Sequence, residues 1–301
     1  MSAKPDVIAL GETMLSMVAL DGPLEEATSF RATHGGAESN ACVALARSGR
    51  SAAWVSRLGA DPMGDRILAA LRTEGVDVSW VTRDPGRPTG LMLRDVVGGV
   101  RYYRTGSAAS ALAPGDLDDV PVEEARAVFA SGITVLLGRD PGRAVGELLR
   151  RARGRRVLDL NLRLGLWGSD RAVTLIEPLF RSCDLLFGGV DELRAFEEGS
   201  VPETLARAVA RRGPDEVVVK RGREGAGALD REGRWHEVAL PPVPDVDPVG
   251  AGDAFDAGYL HARLDGADVP EALIEGADRG ASAAATIGDA EGMARGDLAQ
   301  K

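Results

Sequence analysis

From Ala127 to Lys220 the chain alternates short apolar runs with stretches of helical pattern, and this rhythm restricts the fold more than any other feature. Strand-like runs at Ala127–Ser131, Ile133–Leu137, Val157–Leu160, Asp184–Phe187 and Glu216–Lys220 alternate with predicted helices near 141–153, 169–182, 190–197 and 202–212. Strands joined through helices run parallel, because the crossover returns the chain to the same end of the sheet. The pattern predicts an α/β fold, a Rossmann-like, mostly parallel sheet with helices on both faces. Upstream, Val7–Leu10, Thr13–Ala19 and Ala52–Ser56 read as extended, and Asp61-Pro62 opens a helix that Gly75 closes. Thr89–Val96 and Val100–Arg104 alternate apolar and polar residues around Gly98-Gly99 as a hairpin, expected to project from the main sheet. A second hairpin, Gly225–Asp230 with Arg234–Ala239, ends the strand series, and a last helix spans roughly Pro270–Ile287. No linker, repeat or low-complexity segment divides the chain, so residues 1–301 are read as a single domain.

Open parallel sheets bind ligands beyond the carboxyl ends of their strands. Polar residues are concentrated there in Asp159-Leu-Asn161-Leu-Arg163, Asp191-Glu192 and Lys220-Arg-Gly-Arg-Glu-Gly225. Lysine occurs only at positions 4, 220 and 301, so Lys220 has either a site-specific role or a solvated strand end. The richest stretch is Asp247-Pro-Val-Gly-Ala-Gly-Asp253-Ala-Phe-Asp-Ala-Gly-Tyr-Leu260. Its Gly250-Ala251-Gly252 turn lets backbone approach a ligand, and a helix opening there aims N–H groups and the positive dipole end at one point. Asp253 then lies where a general base takes a proton from an attacking hydroxyl. The competing explanation is a glycine cap before an ordinary buried helix. Phe255 breaks the dinucleotide fingerprint, and the absence of any Gly-Lys pair excludes a Walker-A loop. Near the N-terminus, Gly35-Gly36-Ala-Glu-Ser-Asn40 precedes an Ala-rich helix, where Asn40 either meets a ligand hydroxyl or caps the helix. Tyr102 and Arg104, taken alone, read as one face of a solvated strand. The Ala-rich face of the last helix is packing or a place for an adenine ring.

The formal net charge of −10 argues against nucleic acid or an anionic membrane as partner, and an anionic substrate then needs locally placed cations. The two cysteines, Cys42 and Cys183, imply no disulfide framework. With no signal-peptide pattern and no apolar run long enough to span a bilayer, the expected location is the cytoplasm.

Residues 247–260 resemble the C-terminal signature of the ribokinase-like (phosphofructokinase-B) carbohydrate kinases, Asp-Thr-x-Gly-Ala-Gly-Asp, with Pro248 where Thr is usual. Gly35–Gly49 resembles the N-terminal signature of the same family, in the right order. The resemblance implies an α/β core with a small β lid, at about 12–34 and 87–107, closing over a sugar. It implies ATP and Mg²⁺, with Asp253 as base and the Gly250, Ala251 and Gly252 amides as an anion hole. Glu192 would act on Mg²⁺ through water, although Gly189 stands where the family's Asn-x-x-Glu element has its Asn. Lys220, Gly222, Gly225 and the last helix, with Ser282, would flank the nucleotide.

Within the family the chain is most similar to 2-keto-3-deoxygluconate kinases. The matching residues are Gly35–Glu38, Tyr102-Tyr-Arg104, Ser107–Pro114, Ser131–Thr134, Asn161-x-Arg163 and Gly288–Gly292. Arg104, Arg163 and Tyr102 would then hold a sugar-acid carboxylate, to which planar guanidinium forks are suited. Gly36 and Asn40 would meet the hydroxyl end and Asp289 the other side. Met92 departs from the pattern, standing where a lid tyrosine is expected. The alternatives are a ribokinase- or fructokinase-like kinase of a neutral sugar, and a catalytically silent sugar- or nucleotide-binding regulatory protein. Pairing of exposed lid edges further implies a homodimer.

Overall fold

A computed structural model describes residues 4–95, 99–162, 168–240, 246–247 and 249–286. The strands are β1 (Val7–Leu10), β2 (Met14–Ala19), β3 (Phe30–Gly35), β4 (Ala52–Gly59), β5 (Val81–Asp84), β6 (Leu91–Arg94), β7 (Val100–Tyr103), β8 (Ala127–Ser131), β9 (Arg155–Asp159), β10 (Leu185–Gly189), β11 (Glu216–Lys220), β12 (Ala226–Leu229) and β13 (Trp235–Val238). The helices are α1 (Ala37–Arg47), α2 (Pro62–Thr73), α3 (Gly132–Leu136), α4 (Arg139–Arg151), α5 (Ser169–Ile176), α6 (Val190–Leu193), α7 (Pro202–Ala210), α8 (Ala251–Asp265) and α9 (Val269–Ala284).

A nine-stranded sheet has the order β13-β12-β11-β10-β9-β8-β1-β4-β5. It is parallel from β11 to β5, and the β12–β13 hairpin adds an antiparallel edge. Alternate residues of each strand enter different cores. Val7, Ala9, Phe129 and Val218 pack under α1, α2, α8 and α9. Ile8, Leu10, Val128 and Val217 pack under α3 to α7. Burial on both faces is the reason these strands read as continuous apolar runs. Phe187 of β10 lies edge-on to Phe255 and Tyr259 of α8, with ring centroids 6.4 and 5.4 Å away, and this seats α8 on the sheet. A separate four-stranded sheet, ordered β3-β2-β6-β7, comes from chain on either side of α1, β4 and α2. Among the described residues no helix is long and apolar enough to cross a membrane.

The predicted strand Ile133–Leu137 is instead the helix α3. Every residue of α3 is buried, so its apolar run carries no periodicity to separate helix from strand. Gly132 turns the chain out of β8, and a Cβ there would meet the Leu160 carbonyl oxygen at 2.3 Å. The sequence also gave no warning of β3 and β5, which are short and only partly buried. The last helix begins at Val269 and ends at Ala284.

The start of α1 is anchored by Glu38, a fully buried acid. Its Oε1 accepts hydrogen bonds from Ser131 N, Ser131 Oγ and Thr134 Oγ1 at 2.9, 2.6 and 2.8 Å. Burial pushes its carboxyl up to about 7, with the Ser131 and Thr134 bonds opposing. A raised carboxyl favours the fold below the unfolded-state value near 4.5, and that contribution is lost as pH rises through about 7. Glu38→Gln does not titrate. Urea unfolding should therefore show the variant gaining on the wild type by about 3 kcal/mol between pH 4.5 and 7.5. A gap that stays constant across this window would remove the pH dependence from Glu38.

Candidate active site

The carboxyl ends of β1, β8, β9, β10 and β11 surround one cavity of about 680 Å³, roofed by residues of the small sheet. Gly36, Asn40, Tyr102, Arg104, Glu192, Lys220, Gly222, Gly250, Gly252 and Asp253 all line it. Ala251 is the first residue of α8 beside them. Gly225 and Ser282 are outside the lining. Gly225 turns β11 into β12 with φ +95°, and a Cβ there would fall 2.0 Å from the Val238 carbonyl oxygen. Arg163 and Asp289 lie outside the described residues.

Gly250 is the N-cap of α8 with φ +80°, a left-handed conformation that favours glycine. The first intrahelical bond runs from Ala254 N to Gly250 O, so the N–H groups of residues 251–253 precede it and face the helix mouth. Asp253, on this turn, accepts a 2.8 Å hydrogen bond at Oδ2 from Asn40 Nδ2 of α1. Two residues 213 positions apart are thus brought into direct contact. The tight entry to α1 requires Gly36, because a Cβ there would stand 2.2 Å from the Glu12 carbonyl oxygen.

Arg104 differs from the expectation of an open guanidinium fork. Its Nε and Nη2 donate to Glu12 Oε2 at 2.7 and 2.5 Å, and Ser107 Oγ donates to Glu12 Oε1 at 2.5 Å. Arg104 and Glu12 are both buried. Arg104 Nη1 and Asn40 Oδ1 are buried without hydrogen-bond partners among the described residues, on residues that line the cavity. Glu12 was missed in the sequence, although an acid directly after Gly11 at a strand end was the available signal. Arg94 of β6 pairs with Asp247, ahead of the glycine turn, at 2.8 Å.

On the other wall, Lys220 Nζ bonds Asp159 Oδ1 at 3.0 Å and both oxygens of Asp256 at 3.0 and 2.9 Å. Burial opposes the Lys220 charge, but Asp159, Asp256 and Glu192 outweigh it and hold the ammonium above its usual range. Burial, followed by the Asp159 charge, raises the Asp256 carboxyl. Glu192 accepts from Gly189 N at 2.6 Å and Leu162 N at 2.5 Å, and burial and then Asp159 raise it. Asn161, also in the lining, has φ +36°, a conformation unusual for any residue but glycine. Among the described residues no cluster of three or more His, Cys, Asp or Glu is spaced to hold a metal.

A glycine turn opening a helix, a carboxylate on its first turn and a cavity at the carboxyl ends of parallel strands stand together here, as fits a sugar kinase of the ribokinase-like fold. The model of the pfkB family carbohydrate kinases matches residues 4–294, and the chain belongs to that family. It is 35% identical to a 2-dehydro-3-deoxygluconokinase of Thermoproteus tenax, over 89% of this chain and 84% of that one. It is 33% identical to a 2-dehydro-3-deoxygalactonokinase of Haloferax volcanii, over 94% and 92%. A crystal structure of a putative ribokinase II from E. coli, in complex with ATP and Mg²⁺, shares the fold. Its TM-score is 0.89 at 23% identity, over 97% of this chain and 96% of that chain.

Removing Glu12 leaves the buried Arg104 charge uncompensated, and breaking such a pair costs about 3–5 kcal/mol. Glu12→Ala should lose this much in urea unfolding. A loss under about 1 kcal/mol would show that the pair is not what compensates Arg104.

Proposed function

We propose that the protein transfers a phosphoryl group from ATP to the terminal hydroxyl of 2-keto-3-deoxygluconate, giving 2-keto-3-deoxy-6-phosphogluconate. The observation that carries the sugar-acid reading is Arg104. It is held rigid by Glu12 yet keeps one buried donor, Nη1, on a residue that lines the cavity. A carboxylate there receives a charge-assisted hydrogen bond, with Tyr102 beside it on the same wall. Arg163 and Asp289 complete the sugar site in this reading, and the two similar 2-dehydro-3-deoxy sugar-acid kinases support it.

Asn40 and Gly36 orient the hydroxyl end. Asp253 takes the proton of the attacking hydroxyl while the new oxygen–phosphorus bond forms and ADP leaves. The N–H groups at the Gly250–Gly252 turn stabilise the negative charge that develops on the transferred group. ATP would supply the phosphoryl group when bound, and Mg²⁺ would offset the charge of its phosphates. The turn fits a phosphate, being left-handed at Gly250 and free of a side chain at Gly252. Glu192 would hold Mg²⁺ through water, and Lys220 and Gly222 would flank the phosphates. Ser282 lies toward the adenine, and Gly225 acts by shaping the adjoining turn.

We further propose one domain whose small sheet acts as the lid, and a homodimer formed through that lid in the cytoplasm. Tyr103 of the edge strand β7 is 60% exposed, which supports a covered edge. A kinase of neutral sugars is the competing reading.

Steady-state assays on a panel of 2-keto-3-deoxygluconate, its galacto epimer, ribose and fructose separate the two readings. The sugar acids should be preferred by roughly ten- to more than a hundredfold in kcat/KM, the worth of one charge-assisted hydrogen bond. Arg104→Lys keeps the charge opposite Glu12 but loses the Nη1 donor, and should erase most of that preference. Asp253→Asn should lower kcat by about 10²–10⁴-fold while preserving the fold. A preference for ribose or fructose sinks the sugar-acid assignment, and undiminished turnover in Asp253→Asn removes the base.

A further inference from the structure

Asp256 played no part in the sequence-derived site. It is fully buried on α8 and is absent from the cavity lining. Its position on the helix gives it a specific neighbourhood. Residues three and four apart share a helix face, so Asp256 lies directly behind Asp253 and Gly252. Both of its oxygens hold the Lys220 ammonium, at 3.0 and 2.9 Å. A Cβ built on Gly252 would have Lys220 Nζ as its nearest neighbour, at 3.6 Å. The ammonium therefore sits on the first turn of α8, over the bare backbone of the glycine turn. Phe187 forms its floor, with the ring centroid 5.8 Å from Nζ.

We propose that Asp256 is a positioning residue for phosphoryl transfer, seating the Lys220 ammonium against the Gly250–Gly252 turn so that it meets the charge of the transferred group. The inference rests on the kinase reading above. A lysine carries a flexible four-carbon stem and a compact point charge, so its placement depends on what holds the head. Asp159 holds it from the cavity side, where an incoming phosphate competes for the same N–H groups. Asp256 holds it from behind, out of reach of any ligand in the cavity. With Asp256 in place, the ammonium can exchange Asp159 for a phosphate oxygen without leaving the turn. The acids facing Lys220 are Asp159 on β9, Asp256 on α8 and Glu192 on α6, and together they keep it charged.

The test is a double-mutant cycle on the full-length protein, read as kcat and KM for sugar and for ATP. Wild-type turnover is measured first on the four-sugar panel. Its absence on both sugar acids overturns the substrate reading alone, and the cycle then runs on whichever sugar turns over. Asp256→Asn should lower kcat about 10- to 100-fold while the sugar KM stays within about threefold, the pattern of a displaced catalytic charge. In a Lys220→Met background the same change should have no further effect on kcat. Asp256→Glu, which restores a carboxylate, should recover part of the loss. Equal kcat in Asp256→Asn and wild type overturns the proposal, as does an undiminished loss in the Lys220→Met background. If Asp256→Asn does not fold, Lys220→Met/Asp256→Leu, which removes both charges, is compared with Lys220→Met. Equal kcat supports the proposal, and a further drop overturns it.

Discussion

Glu12, Asp159, Gly189 and Lys220 reach one cavity because each stands at or just beyond the carboxyl end of a parallel strand whose length is closed to polar side chains. The strands from β11 to β4 are covered on both faces, and their buried interior positions are mainly Val, Leu, Ile, Ala and Phe, with Trp54 and a hydrogen-bonded Ser56 in β4. A polar group placed along such a strand would be buried without partners, at a cost of several kcal/mol. Polar chemistry therefore emerges where the strands stop. The helix starts supply the rest, since α1 and α8 both begin at this end of the sheet and bring Asn40 and Asp253 together.

Among the described residues, the cations lining the cavity are each held by acids of the protein. Arg104 has Glu12, Arg94 has Asp247, and Lys220 has Asp159 and Asp256. Buried ion pairs contribute little net stability, because desolvation offsets most of the attraction. What they supply is placement. An arginine already bonded through two nitrogens offers its remaining donor in one direction, and that gives a site its discrimination. The same pairing limits the positive field inside the cavity of a chain whose net charge is −10.

The parts of this arrangement that could be read from sequence are those with local signatures. The glycine turn before Asp253, the βα rhythm and the hairpins depend on residues close in the chain, and each carries its own pattern. Asn40 could be suspected because it follows two glycines at a helix start. Ile133–Leu137 was expected as a strand and is a helix, because a run buried on all sides looks the same as either. The Glu12–Arg104 and Lys220–Asp256 pairs were hidden for a different reason. Their partners are 92 and 36 residues apart, and an isolated Glu or Asp says nothing about which cation it will meet. Lysine usage did single out Lys220, but not the acid behind it.

The Arg94–Asp247 pair joins β6 of the small sheet to the loop that enters the glycine turn, across 153 residues of chain. Both side chains are buried. Swinging the small sheet away from the cavity must either part these two charges or draw residue 247 along with it. Parting them exposes the pair to the penalty that makes broken buried ion pairs costly, about 3–5 kcal/mol. The small sheet that roofs the cavity and the backbone that enters the glycine turn thus share a mechanical joint. Motion at one end of the cavity is geared to the other.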